Sequence, residues 1–228
     1  MSFFNPTEPP IRAKQEQLDV QDIKGLWKIN WEIGDFRKIC RFYTRIDQVF
    51  LVWGVCTLII FTIAQFLPIS WMTQAYCWSV LTLLGTLTMV ALTYCWSRVE
   101  QVTWLVYWWV LLMLVGLGLT NFGIFWGSGT ILLNLCPMWL GLSALGYWGT
   151  AIALRSRAFA WAGGVHLLAI FLLPLVTWQF LTTGLIMGGT LLFFAEVQWD
   201  MNSLMESPLL TVEQLAFNRE QQRKRQNS

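Results

Sequence analysis

Few side chains of this sequence can do acid–base or nucleophilic chemistry in apolar surroundings. His166 is the only histidine among the 228 residues, and it lies in a long uncharged stretch. Histidine titrates near neutral pH and ligates metals, so His166 can give one axial ligand to a chlorophyll-type magnesium or act as a base toward the Ser143 hydroxyl. A lone buried histidine more often hydrogen-bonds a neighbouring helix, and we favour that role.

Charged side chains at membrane depth mark ion and proton pathways, because burying a charge there is costly. The long apolar tracts of this chain contain none. Glu196 follows the last tract, and we expect it to reach lipid headgroups or one of three arginines, Arg98, Arg155 and Arg157. The polar residues that we predict to line a cavity or to join helices are Gln65, Asn121, Asn134, Ser143 and Glu196.

The five cysteines do not predict a disulfide frame or a zinc site. No two of them have the CxxC spacing, and four lie in apolar tracts, where thiols behave as small apolar side chains. We predict no metal, and no cofactor apart from the chlorophyll-type pigment that His166 can ligate.

The elements that position these residues are apolar helices. No Asp, Glu, Lys or Arg occurs in residues 48–97, 101–154 or 158–195. A membrane-spanning helix needs about 20 apolar residues, so each tract has room for two helices and a turn. The third tract is the shortest, and one span with a re-entrant segment is its alternative. Turns are predicted at residues 68–71, 126–129 and 174–179.

The basic residues predict the orientation of these helices. All 15 Lys and Arg residues lie before, between or after the three tracts. If each tract is a helical hairpin, every basic residue falls on one side of the membrane, which the positive-inside rule assigns to the cytoplasm. The sequence therefore predicts an all-α polytopic bundle of six spans in three hairpins, with both termini cytoplasmic. Its parts are an N-terminal segment (1–47), a transmembrane domain (48–199) and a C-terminal tail (200–228).

The segment before the first tract predicts an amphipathic basic helix. Apolar residues recur at spacings of three and four between Ile23 and Ile46, as on one face of a helix. Arg37, Arg41 and Arg45 repeat on every fourth residue. We expect this helix to lie on the inner leaflet with its cations on anionic headgroups. Docking of a soluble protein is the alternative.

The C-terminal tail predicts one short helix. Thr211 and Gln214 have the spacing of a capping box, and a polar run follows them. The basic residues of the tail act as a topology signal, and we predict no nucleic-acid binding.

Small residues predict close packing between helices, on each other or on another subunit. Two small residues four positions apart let helix backbones approach, as in a GxxxG pair. The predicted packing residues are Gly146, Gly149, Gly164, Gly184 and Gly188.

Residues 141–144 (GLSA), taken with His166, resemble part of the site of rhomboid intramembrane proteases, which also have six spans. Here the histidine lies in the fifth predicted span rather than the sixth, and no long first outer loop exists. An enzyme is therefore the less favoured interpretation.

Three stretches resemble parts of uncharacterised multi-span membrane proteins of cyanobacteria. They are RIDQVFLVW at 45–53, CPMWLGLSALGY at 136–147 and AEVQWD at 195–200. The resemblance implies a photosynthetic host and a bacterial plasma membrane or thylakoid membrane as the location. It implies no activity.

Three functional classes fit these features. We favour a non-catalytic accessory or assembly subunit of a membrane complex, because the outer turns are short, glycine faces are prominent and the tracts are uncharged. A facilitator or permease for a small neutral or apolar solute is the first alternative. Binding of a pigment or lipid through His166 is the second. The expected partners are membrane lipids and a membrane-protein complex.

The predicted topology can be tested with single cysteines in a variant whose five native cysteines are replaced by serine. We expect a membrane-impermeant maleimide to label Ser128→Cys in intact cells, because residue 128 lies in an outer turn. Arg155→Cys should react only after permeabilisation. Labelling of both positions in intact cells would contradict the three-hairpin topology.

Overall fold

The computed structural model describes residues 3–4, 9–33, 37–201 and 207–227, most of which are helical. Six long helices form a bundle, and short strands and a C-terminal helix lie at one of its ends. In chain order the elements are β1 (Ile11–Arg12), α1 (Val20–Ile23), β2 (Trp27–Ile33), β3 (Arg37–Tyr43), α2 (Arg45–Phe66), α3 (Trp71–Val99), α4 (Thr103–Phe125), α5 (Gly129–Leu133), α6 (Leu135–Leu154), α7 (Arg157–Leu172), a 3-10 turn (Leu173–Leu175), α8 (Gln179–Glu196), β4 (Gln198–Trp199) and α9 (Val212–Asn227).

Four helices are long and apolar enough to cross a membrane. They are α2, α3, α4 and α7 with its 3-10 extension to Leu175. The other two long helices, α6 and α8, have 20 and 18 residues and are richer in glycine. The chain is therefore a helical protein with the composition of a membrane protein.

The helices break at the three predicted turns. α2 ends at Phe66 and α3 begins at Trp71, and Pro174 lies in the 3-10 turn after α7. In the second break Gly127 has φ of +65°, a conformation that favours glycine. The third tract holds two helices, as its first interpretation predicted. The second break is longer than predicted because α5 forms within it.

Side-chain caps begin the first two long helices. The Thr44 hydroxyl accepts the Asp47 N–H at 3.3 Å, and the Asp47 carboxylate accepts the Thr44 N–H at 2.8 Å, which completes a capping box. The Ser70 hydroxyl accepts the Thr73 N–H at 3.2 Å at the start of α3. The boundaries of these helices are thus encoded locally.

The long helices close into a ring. α2 packs against α3, α3 against α4, α4 against α6, and α6 against α7. α8 packs chiefly on α2, and smaller contacts with α6 and α7 complete the circuit. The consecutive helices α7 and α8 therefore lie mainly on other partners rather than on each other.

Glycines allow the contact between α2 and α8 to be close. A β-carbon on Gly184 would lie 2.6 Å from Cβ of Phe61. One on Gly188 would lie 2.9 Å from the backbone oxygen of Gly54. Because both distances are shorter than van der Waals contact, any larger residue here would push the two helices apart.

The predicted packing role fits the glycines of α6 but not that of α7. Gly146 and Gly149 lie against indole rings of α4. Gly164 has no atom within 4 Å of its β-carbon position, and its neighbour Gly163 instead contacts Trp148. Gly164 therefore packs on no helix of the described chain, because a shift of one residue on a helix turns the side chain by about 100°, and its packing on another subunit stays a prediction.

The predicted amphipathic helix before α2 was also wrong. Residues 27–33 and 37–43 form an antiparallel hairpin in which Trp27 pairs with Tyr43. Trp27, Ile29, Trp31 and Ile33 alternate with polar residues in the sequence, which is the period of a strand. Aromatic and β-branched side chains also favour strands over helices.

The predicted stripe of arginines is not formed, because it required that helix. Arg41 lies in β3 and pairs with α8, whereas Arg45 lies in the first turn of α2 with its guanidinium against Gly25. The side chain of Arg37 lies outside the described residues.

Both terminal segments meet at one end of the bundle, which we call the capped end. α2, α4 and α7 begin at this end, and α3, α6 and α8 finish there. Ile11 pairs with Trp199 in a two-stranded sheet, and the Asp200 N–H donates to the Pro10 carbonyl at 3.0 Å. In the tail, Thr211 and Gln214 exchange the two hydrogen bonds of the predicted capping box at the start of α9.

Two buried ion pairs attach these segments to the helices. Lys14 lies 2.7 Å from Asp47, with side chains only 14% and 7% exposed. Asp200 accepts the backbone N–H of Arg157 and its guanidinium, both at 3.0 Å, and the Ser156 hydroxyl at 2.8 Å. Because Asp200 lies at the start of α7, its negative charge also interacts favourably with the dipole of that helix.

The glycine contact between α2 and α8 predicts opposite effects for two adjacent substitutions. We expect Gly188→Ala to destabilise the bundle by about 1–3 kcal/mol through overpacking against Gly54. Gly189→Ala should be neutral or stabilising by up to about 1 kcal/mol, because no atom lies within 4 Å of its β-carbon position and alanine favours helix. Reversible unfolding in mixed micelles measures both. Equal effects would show that the helices are not in close contact.

Candidate functional site

A cavity of about 160 Å³ runs inside the ring of helices. Side chains of α2, α3, α4, α6, α7 and α8 line it, together with Trp199 at the capped end. Along α4 the lining extends from Val102, which precedes the helix, to Thr120 in its last turns. The cavity therefore follows most of the length of the bundle.

The wall of the cavity is weakly polar although it contains several hydroxyls. Thr93, Thr120 and Thr150 donate to the carbonyl four residues earlier in their own helices at 2.7, 2.8 and 2.9 Å. The indoles of Trp139 and Trp109 in turn donate to Thr120 and Thr150 at 3.2 and 3.0 Å. These hydroxyls and indoles largely satisfy one another, so they offer few strong hydrogen bonds to an occupant.

Two other indoles in the wall are unsatisfied. The Nε1 atoms of Trp53 and Trp78 are buried and have no hydrogen-bond partner among the described residues. An unpaired buried donor costs roughly 1–3 kcal/mol. No spacing pattern in the sequence distinguishes these two tryptophans from the others.

Two clusters of large side chains lie at the ends of the cavity. At the capped end the ring of Phe159 lies 4.8 Å from Phe194, 4.9 Å from Trp199 and 6.3 Å from Tyr147. At the opposite end, which we call the turn end, the second cluster contains Phe61, Leu140, Leu173 and Met187. Phe159, Leu140 and Leu173 are almost completely buried.

His166 lies beside the cavity wall without reaching the cavity. Its Nδ1 is 2.8 Å from the Ala162 carbonyl, its ring centroid is 4.9 Å from that of Tyr147, and the residue is fully buried. Nε2 is enclosed as well, without a partner in the described structure. An axial ligand needs an open face for the macrocycle, so the surroundings of His166 do not fit a chlorophyll-type pigment.

The predicted polar residues fall into different places. Gln65 accepts the Leu181 N–H at 3.4 Å and joins α2 to α8, and Asn121 joins α4 to Ser79 of α3 at 3.0 Å. Asn134 bonds only locally, to the Thr130 carbonyl at 2.8 Å. Of the predicted residues it is Ser143 that lines the cavity, and the structure describes no hydrogen bond between it and His166.

Glu196 lies at the capped end and pairs with the hairpin. It forms an ion pair with Arg41 and accepts the Tyr43 hydroxyl at 2.6 Å. Burial and this hydrogen bond raise the pKa of Tyr43 to about 12. The expected arginines, Arg98, Arg155 and Arg157, are not its partners, because β3 brings Arg41 to the end of α8.

Three carboxylates gather around the end of α3, and we call them the acid cluster: Asp19, Asp22 and Glu100. Each is buried or nearly so. Arg225 of α9 lies 2.7 Å from Asp19, and the Trp96 indole donates to Asp22 at 3.0 Å. Trp96 also lines the cavity, so this indole connects the acid cluster to the interior of the bundle.

Hydrogen bonds of the acid cluster hold three separate segments together. The Gln21 amide donates to Glu100 at 2.7 Å, and its oxygen accepts the Asn218 amide at 3.1 Å. The Val20 N–H donates to the Asn218 oxygen at 2.9 Å. The N-terminal segment therefore joins α9 to the connection between α3 and α4.

The position of these carboxylates changes their acidity. Burial, then repulsion from Asp19 and Glu100, raises the pKa of Asp22 from 3.8 to about 7. Burial is also the main reason that the pKa of Glu100 rises from 4.5 to about 7, and the hydrogen bond from Gln21 opposes it. Both groups favour the protonated form when the three segments are in contact.

In the described part of the chain, no three His, Cys, Asp or Glu side chains are arranged to hold a metal ion. Comparison with protein-family models, curated proteins and solved structures finds no match for this chain. The cavity and the acid cluster are therefore the features from which function is inferred.

The acid cluster predicts that α9 is held more tightly at low pH. Asp22 and Glu100 keep protons up to about pH 7 while the three segments are in contact, and their pKa values return to 3.8 and 4.5 when the segments separate and water reaches both carboxyls. The attachment of α9 to the acid cluster is therefore strongest below about pH 4 and weakens as the pH rises to 7. We expect the anisotropy of a dye on Glu220→Cys, in the background without native cysteines, to fall between pH 5 and pH 8.

Matched variants separate this effect from general charge changes. Asp22→Asn with Glu100→Gln should remove the pH dependence, whereas Glu213→Gln in the first turn of α9 should leave it. An anisotropy that rises with pH would contradict the assignment of the two raised pKa values.

Proposed function

We propose that this chain is a six-span membrane protein with both termini in the cytoplasm. Beside the four helices that are long and apolar enough to cross a membrane, α6 and α8 come close to the length of a span. All Lys and Arg residues lie outside the apolar tracts, and the two terminal segments meet at the same end of the bundle. The cyanobacterial resemblance leads us to propose a plasma membrane or thylakoid membrane.

The protein, in this proposal, binds a small neutral or apolar solute inside the ring and facilitates its movement in the membrane. The observation that carries it is the cavity lined by all six long helices. A membrane protein that needs only stability has no reason to keep such a space, because unfilled volume forfeits dispersion contacts. The uncharged wall favours a neutral occupant, since an ion would lose its hydration without compensation.

A role as accessory or assembly subunit is the second candidate, and it rests on a different observation. Trp27 and Ile23 are 57% and 45% exposed at the capped end, beside the hairpin. Aromatic side chains at that level anchor to lipid headgroups or become buried by a partner protein. A partner of this kind would bind from the cytoplasm.

Native mass spectrometry of the protein ejected from its own membrane distinguishes the two functions. We expect the wild-type chain to carry a small-molecule adduct. Thr82→Phe should lose the adduct because Thr82 is buried in the cavity wall, whereas Val80→Phe should keep it because Val80 is 56% exposed on the same helix. A stoichiometric protein partner without an adduct would support the accessory function instead.

A further inference from the structure

The cavity is long compared with its volume. Its lining extends from Ile46 to Phe61 on α2 and from Val102 to Thr120 on α4. At 1.5 Å of rise per residue these spans correspond to about 22 Å and about 27 Å. Spread over that length, a volume of 160 Å³ gives a cross-section of only about 6 Å².

This cross-section fits one hydrocarbon chain. The cross-section counts only the space that the centre of a water molecule can reach, and its own radius is about 1.4 Å. Adding the radius of the water molecule, also about 1.4 Å, gives the bore a radius of about 3 Å. A methylene chain has a radius of about 2 Å, half the contact distance between carbon atoms. A fused-ring molecule or a macrocycle is wider than the bore.

The chemistry of the cavity wall also fits a hydrocarbon chain. The hydroxyls of Thr93, Thr120 and Thr150 along the bore are bonded to their own helices, and most of the other lining residues are apolar or aromatic. A methylene chain needs no hydrogen bonds, and each methylene removed from water contributes about 0.8 kcal/mol. A polar head would be placed at one of the two ends.

We propose that the cavity holds a single extended hydrocarbon chain of about 16 to 20 carbons, allowing about 1.3 Å for each methylene from a bond length of about 1.5 Å. This inference rests on the proposed function and names the chemical class of its solute. The chain belongs to a free fatty acid or to the tail of a membrane lipid.

Photocrosslinking in membrane vesicles tests the shape of the occupant. The probes are palmitic acid, octanoic acid, palmitoyl-lysophosphatidylcholine and an adamantane derivative, each with a diazirine group. Mass spectrometry separates adducts on cavity-lining residues from those on the exposed lipid face of the same helices. We expect palmitic acid or the lysolipid to label the lining, and the adamantane probe to label only the lipid face.

A block at mid-depth provides the decisive variant. Met89 lines the cavity near its middle, and Leu87 is 66% exposed on the same helix. Met89→Trp should lower interior labelling by the 16-carbon probe at least about tenfold, because it divides the bore and excludes roughly half of the chain. Octanoic acid should still label the lining, and Leu87→Trp should change neither result. Met113→Trp narrows the bore from the neighbouring helix α4 and should reproduce the loss if the α3 variant fails to fold.

The outcomes separate the two proposals. Interior labelling by the adamantane probe, or labelling by the 16-carbon probe that Met89→Trp and Met113→Trp leave unchanged, would overturn the single-chain inference alone. Interior labelling by none of the probes would overturn the proposed function as well. Interior adducts from palmitic acid alone identify a free acid, and those from the lysolipid alone identify a lipid tail. Either supports the inference.

Discussion

A helix in a lipid bilayer satisfies its own backbone hydrogen bonds, but no hydrophobic force draws it onto its neighbours, because lipid tails are as apolar as its own surface. The apolar tracts of this chain also lack charges that could join the helices. Association must then come from shape and from hydroxyl and amide groups. Where Gly188 meets Gly54, backbones approach closely. Where indoles face the centre, the helices stay farther apart, and a cavity remains.

The charges that the bundle excludes are concentrated at the capped end, and they organise a small polar structure there. Asp47 and Asp200 are buried beside cationic partners, which compensates for their lost hydration. The acid cluster differs, because it holds three carboxylates near one arginine and keeps two of them partly protonated at neutral pH. Since Trp96 bonds to Asp22 of α1 and also lines the cavity, separation of α1 from α3 would remove a hydrogen bond from a residue of the cavity wall.

Features encoded within a few residues were predictable. Proline and glycine marked the breaks between helices, and Thr211 with Gln214 marked the start of α9. The hairpin was missed because apolar residues at 23–46 also fit a spacing of three and four. The alternation at 27–33, with tryptophan and isoleucine, was the stronger signal. The partner of Glu196 could not be read from the chain, because Arg41 reaches it only when residues 37–43 form a strand.

The cavity depends on a contact that chain order does not suggest. Three compact hairpins would pack α7 face to face with α8, and each pair could fill its own interface. Instead α8 returns to α2, so the first and last long helices close a ring, and α7 reaches the central space only through Phe159. Six helices around one axis leave a central space that side chains must fill, and Trp53, Trp109 and Trp139 fill it only in part. Because the space runs along the helices, its length follows theirs, and an elongated apolar molecule is the occupant that such a ring accommodates with least rearrangement.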